Sequence, residues 1–162
     1  ERGIAIDIRP DPRWNRCDIK TTALIANILP YQAAHEKGCS EVCFVKDGLI
    51  TEGAHSNIFF VKDETLYTHP ESNHILSGIT RCNVISICHE NNITLVEEAI
   101  SADMLPYIHE AFMTNTTGEV IPVNKIGEQP VGDSSPGEIT RKIQRLFREK
   151  VIAAGKAGNS EQ

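Results

Sequence analysis

Residues 41–69, EVCFVKDGLITEGAHSNIFFVKDETLYTH, decide how this chain folds. Four short runs, EVCFV (41–45), LITEG (49–53), NIFFVK (57–62) and LYTH (66–69), are rich in β-branched and aromatic residues, which fit the pleated surface of a sheet. Lys46-Asp47-Gly48 and Asp63-Glu64 separate them with turn chemistry, so the stretch reads as an antiparallel meander. Upstream, Ile4, Ile6 and Ile8 alternate with Ala5 and Asp7 over residues 3–8, the period of a half-buried strand that stops at Pro10-Asp11-Pro12. Residues 22–37 are rich in Ala, Leu and Ile and end at Gly38, predicting a helix that Pro30 should kink or break. Downstream, Gly78-Ile79-Thr80 opens a second helix that runs to about Glu90, with Val84, Ile87 and Cys88 at helical spacing and Asn91-Asn92 as its close. A strand over 93–97, a short helix capped by Ser101 and a strand over 110–117 follow. The last helix has Ser135 as its expected N-cap, Pro136 in its first position and Glu138 three residues after the cap. Ile139, Ile143, Leu146 and Phe147 form its apolar face. Strands mixed with helices, without regular βαβ units, give an α+β class.

The chain has 162 residues, 40% of them hydrophobic, enough for one core and one domain. A net charge of -6 with no Lys/Arg-rich run argues against nucleic acid or an anionic membrane as partner and leaves small molecules or protein. No apolar run approaches the ~20 residues that span a bilayer and no signal-peptide core is visible, so a soluble, cytoplasmic protein is expected. Cys17, Cys39, Cys43, Cys82 and Cys88 make an odd count with no CxxC pair and no zinc spacing. They read as free thiols, and no metal site is expected. The first residue is Glu and a strand-like run begins almost at once, as in a piece of something longer. The polar tail 155–162 is expected to be disordered.

Four places carry chemistry. Lys20 sits between Ile19 and two threonines just ahead of a helix. Glu52-Gly53 ends an apolar strand before Ser56-Asn57. Gly78-Ile79-Thr80 sets backbone N–H groups and a hydroxyl at a helix N-terminus, a ready anion site. Thr114-Asn115-Thr116-Thr117-Gly118 adds hydroxyls and a glycine after a strand. Each also has an ordinary reading, as solvated lysine, turn acid, helix cap or strand exit. Together they meet the needs of pyridoxal phosphate: an amine to bond it, an acid to hold its pyridine nitrogen protonated and an anchor for its phosphate.

The motifs RCDIKTTALI, AHEKGCSEV, ITEGAHSNIFFVKDETLYTHP, HILSGITR and MTNTTGEVIPV, in this order from about Arg9 to Phe147, resemble those of the fold-type IV pyridoxal-phosphate enzymes, the D-amino acid aminotransferases most of all. The resemblance implies that Lys20 bonds the cofactor and, once displaced by substrate, carries a proton between substrate Cα and cofactor C4′. It implies that Glu52 pairs with the pyridine nitrogen and that Leu76 supports the ring face. The phosphate would be held by Gly78, Ile79 and Thr80 and by the later cluster, here Asn115 and Thr116. Arg13 and Arg16 read equally as positive charge near the cofactor or as surface arginines.

The implied fold is the C-terminal large domain of such an enzyme, residues 1–154, with the family's smaller N-terminal domain absent. The implied reaction is exchange of the amino group between D-alanine and 2-oxoglutarate, giving pyruvate and D-glutamate, in a homodimer. Branched-chain aminotransferase and aminodeoxychorismate lyase share the fold, and an isolated domain without catalysis is the alternative of a different class. His55 stands where relatives often carry small Ser or Gly residues, and Asn115 where the close relative has Ser.

Overall fold

A computed structural model of the chain describes residues 2–158. The nine strands form one mixed sheet: β1 (Ile4–Pro10), β2 (Glu41–Lys46), β3 (Leu49–Gly53), β4 (Asn57–Lys62), β5 (Thr65–Thr68), β6 (Leu95–Glu97), β7 (Glu110–Asn115), β8 (Glu119–Ile126) and β9 (Gln129–Pro130). Their order across the sheet is β3-β2-β1-β8-β7-β4-β5-β6, with β9 paired to β8. The helices are α1 (Ile25–His35), α2 (Ile79–Glu90) and α3 (Glu138–Gly158), with a 3-10 turn over Ala102–Tyr107. The class is α+β, as the sequence predicts.

The predicted meander holds only within two hairpins. β2 and β3 pair antiparallel, as do β4 and β5. β3 and β4, however, lie at different places in the sheet, because residues 54–56 carry the chain from one hairpin to the other. β1 pairs parallel with both β2 and β8, and β5 pairs parallel with β6.

IFFV, residues 58–61 of β4, is apolar throughout because both faces of the sheet are covered there. Ile58 and Phe60 of β4, with Ala111 and Met113 of β7, enter one core together with Ile6, Ile50 and Ile126. Phe59, Val61 and Phe112 point the other way and pack under α2 and α3 with Val84, Ile87, Ile143 and Phe147. Phe59 and Phe112 face each other across the ladder and stack at 4.9 Å. A third cluster, Ala34, Val42, Phe44 and Ala54, sits under α1.

Three local expectations are corrected. α1 is shorter than 22–37 and keeps Pro30 inside it, and Gly38 ends the following turn with φ +80°. Ser135 does not cap α3: its hydroxyl donates to Asp133 at 2.6 Å, while the Glu110 carboxylate of β7 accepts the N–H groups of Ile139 and Thr140 at 3.1 and 2.8 Å. α3 starts at Glu138, not Pro136, and continues past Gly155, where the disordered tail was expected, to Gly158. Residues 159–162 of that expected tail lie outside the described residues.

Candidate functional site

A cleft of about 680 Å³ opens where α1, the 54–56 crossover, the N-terminus of α2 and the end of β7 meet. Lys20, Glu52, Leu76, Gly78, Ile79, Thr80, Asn115 and Thr116 line it together, with Arg13 but not Arg16.

Two anchors bring Lys20 over the cleft. Before it, the Cys17 N–H donates to the Asn73 carbonyl at 2.9 Å, tying its loop to the segment that leads into α2. After it, the Asn27 side chain of α1 donates to the Ala54 carbonyl at 2.8 Å. Lys20 itself is exposed and forms no ion pair among the described residues. Burial pushes the neighbouring Cys17 thiol up, toward its protonated form.

The crossover is held by Glu41, which the sequence reading passed over. Its carboxylate accepts the N–H groups of Val42, Ala54 and His55 and the Ser56 hydroxyl at 2.9 to 3.3 Å. A buried acid opening an apolar strand was the available signal. Gly53 is required at the corner, because a Cβ there would lie 2.4 Å from the Ser56 Oγ and 2.7 Å from the Met113 Cε. His55 is at the rim, its ring edge-on to Tyr31 at 5.0 Å.

Glu52 closes the floor. It is 5% exposed and accepts from Arg13 Nη1 at 2.5 Å, from Asn57 Nδ2 at 3.0 Å and from the Leu76 N–H at 3.0 Å. Arg13 is therefore a buried member of the site and not a surface arginine, whereas Arg16 is exposed and paired to Asp18. Burial pushes the Glu52 carboxyl up to about 7, against the pull of the Arg13 guanidinium and the Leu76 N–H. The Arg13 guanidinium stays charged: burial opposes the charge, but the carboxylates of Asp11 and Glu52 hold its pKa above the ordinary value. Asn57 also donates to the Leu76 carbonyl at 2.8 Å, so one amide links the acid to the turn that begins α2.

At that turn no side chain caps α2. The N–H groups of its first residues are thus available to an anion, and the helix dipole favours one there. Gly78 admits the close approach of Asn57, whose Oδ1 would lie 2.3 Å from a Cβ at this position. The Thr80 hydroxyl donates to the Asn115 carbonyl at 3.0 Å and so clamps α2 to the end of β7. The Asn115 side chain serves its own turn, accepting from the N–H groups of Thr117 and Gly118 at 3.1 and 2.7 Å. Thr116 is exposed at the cleft, and Thr114, 1% exposed, brings a buried hydroxyl with no partner to the lining. An uncapped helix, an orphaned hydroxyl, a buried acid and an open amine around one apolar-walled cleft fit a flat phosphorylated heteroaromatic aldehyde. Among the described residues no cluster of His, Cys, Asp or Glu could hold a metal ion.

The family described as amino-transferase class IV matches residues 1–126. The chain is 39% identical over 153 residues to the D-alanine aminotransferase of Bacillus licheniformis, covering 94% of this chain and 54% of that protein. It is 37% identical over 151 residues to the D-alanine aminotransferase of Staphylococcus haemolyticus, covering 93% and 54%. Among solved structures, the branched-chain aminotransferase of Thermoproteus uzoniensis superposes with a TM-score of 0.87 at 30% identity, covering 93% of this chain and 52% of that one. The branched-chain amino acid aminotransferase of Thermobaculum terrenum in its PLP form gives 0.87 at 26%, with the same coverage. The chain spans about half the length of the relatives it matches.

Proposed function

The chain belongs to the class IV aminotransferases, and from that premise we propose that it forms the pyridoxal 5′-phosphate-binding large domain of an enzyme exchanging the amino group of D-alanine with 2-oxoglutarate, to give pyruvate and D-glutamate. The observation that carries the reading is the shared cleft, in which Lys20, Glu52 and the uncapped start of α2 meet.

Pyridoxal phosphate, when bound, supplies an electrophilic carbonyl carbon and a ring that withdraws electrons from the substrate. The residues supply position and proton traffic. Lys20 Nζ would hold the cofactor at its carbonyl carbon and would move the proton at substrate Cα. The carboxylate of Glu52 would hold the proton on the ring nitrogen, and Leu76 would support the ring. The Ile79 and Thr80 N–H groups, with Gly78 leaving room, and the Thr116 hydroxyl receive the phosphate, and the orphaned Thr114 hydroxyl stands within the same lining. Asn115 contributes through its backbone, since its side chain is engaged in the turn.

The D-alanine reading is supported by relatives of that name at 37–40% identity. A branched-chain reading is favoured by the apolar wall of Trp14, Ile19, Leu24 and Leu76 and by the solved structures. Exposed Trp14, Ile19, Ile25, Ile28 and Leu29 lie on the loop before α1 and on α1, and support packing against further protein, a second subunit included. Five free cysteines support a cytoplasmic location, and among the described residues no helix is long and apolar enough to cross a membrane.

The test is initial rates with 2-oxoglutarate on the protein expressed from its own gene. Faster consumption of D-alanine than of L-leucine supports the reading, and the reverse order replaces it with the branched-chain one.

A further inference from the structure

We propose that Asp11 is a positioning residue for Glu52: by gripping Arg13 at two points it leaves the buried cluster one positive charge short, and this shortfall fits Glu52 to accept a protonated ring nitrogen. The proposal rests on the reading of the cleft as a pyridoxal-phosphate site.

Asp11 Oδ1 accepts from Arg13 Nε at 2.9 Å and Oδ2 from Nη2 at 2.8 Å, a fork-to-fork pair of the strongest kind. The Asp11 side chain is 3% exposed and that of Arg13 4%. The second Nη2 proton goes to the His74 carbonyl at 3.1 Å, and the Phe44 ring covers one face of the guanidinium at 4.7 Å. Only Nη1 is left for Glu52. Arg13 is thus oriented by Asp11 and cannot swing to engage Glu52 with both arms.

Two carboxylates and one guanidinium carry a net charge of -1 when both acids are ionised, in a place that water reaches poorly. Asp11 is the acid that keeps its charge: burial works against ionisation, but the guanidinium, the Arg13 N–H and the Thr51 hydroxyl hold its pKa below the ordinary value. The deficit therefore falls on Glu52, whose Oε2 is occupied by two donors while Oε1 receives one and retains a lone pair. The other titratable groups about it do not make up the charge. Cys17 and His74 border the cluster, Glu41 adds a further acid behind Gly53, and Lys20 and His55 are exposed at the cleft. A protonated pyridine nitrogen is the missing cation.

The test is carboxyl-13C NMR of glutamate in the unloaded chain, with the Glu52 resonance identified by its loss in Glu52→Gln. Glu52 is expected to titrate near neutral pH, and Asp11→Asn to lower its midpoint, because Arg13 then neutralises it alone. A midpoint unmoved by Asp11→Asn overturns the proposal. So does a Glu52 that stays ionised through pH 5 in the unmodified chain, a measurement that needs no variant to fold. No cofactor enters the titration. Failure of pyridoxal phosphate to label Lys20 would therefore count against the site reading, whereas a labelled Lys20 beside a fully ionised Glu52 counts against this proposal alone.

Discussion

The two ends of the cleft are built on opposite principles. At the floor, Asp11, Arg13, Glu52 and Asn57 are buried and joined by hydrogen bonds of 2.5 to 3.0 Å before any ligand arrives. At the rim, Lys20 and Thr116 are exposed and α2 is uncapped, and beneath them the buried Thr114 hydroxyl has no partner among the described residues. A charge that must be held at one atom benefits from a rigid, dry setting, and bonds that must form and break benefit from groups not yet committed. Changes at the floor should therefore be felt in stability and changes at the rim in ligand chemistry.

Removing the amine is expected to have the largest effect. Lys20→Ala should cut amino-group exchange by about 10³-fold or more, since in the proposed role it removes both the covalent attachment point and the proton carrier. Its urea midpoint should stay put, as at other exposed positions. A variant that unfolds with the loss would break the division between the two ends. Arg13→Ala should act in the other way, destabilising the chain by about 3–5 kcal/mol in urea unfolding because it strands the Asp11 and Glu52 carboxylates. Gly78→Ala lies at the junction, forcing a Cβ onto Asn57 Oδ1. A cost of about 1–3 kcal/mol is expected, with weakened binding of phosphate-bearing ligands measured by calorimetry.

The pH dependence of stability sharpens the contrast. Glu52 has its pKa raised from the ordinary 4.5 to about 7, so the folded chain binds this proton more tightly than the unfolded chain. Its contribution to stability is present below the unfolded value and is lost as pH rises through the window from about 4.5 to 7. Asp11 has the opposite sign. Its pKa is lowered, so its contribution is present above the unfolded value and is lost as pH falls below it. Urea midpoints across pH 4.5–7 should decline in the unmodified chain, with the slope reduced in Glu52→Gln. A flat profile in the unmodified chain would contradict the assignment. Thr114→Val should give the smallest effect and one of mixed sign: neutral or stabilising by up to about 1 kcal/mol in the unloaded chain, where it removes an unsatisfied hydroxyl, yet weaker in holding cofactor.

The same division decides what the sequence made legible. Rim residues announce themselves by local chemistry: a lysine ahead of a helix, Gly-Ile-Thr at a helix start, threonines and a glycine after a strand. Local alternation likewise placed the strands of the two hairpins. What escaped depends on distant partners. β8 carries Pro122 in a central strand, where a missing N–H argues against sheet; it is accommodated opposite Phe112 of β7, with a register shift against β1 at Ile4/Ala5. Ser135, Pro136 and Glu138 have the local form of an α3 start, but Glu110, far off in sequence, supplies the cap. Arg13 read equally as surface or site until the 39-residue separation between it and Glu52 was closed by folding. Asp11 was missed for the same reason, and Glu41, though it opens an apolar strand, gathers its donors from the 54–56 crossover.

The central claim, that Lys20 at the rim works with the floor acid Glu52 on one bound cofactor, is tested most directly by adding pyridoxal phosphate, reducing with borohydride and mapping the labelled peptide by mass spectrometry. One covalent label is expected, on Lys20, absent from Lys20→Ala and weakened in Glu52→Gln. A label spread over the chain's other lysines, or one on Lys20 that Glu52→Gln leaves unchanged, would contradict the claim.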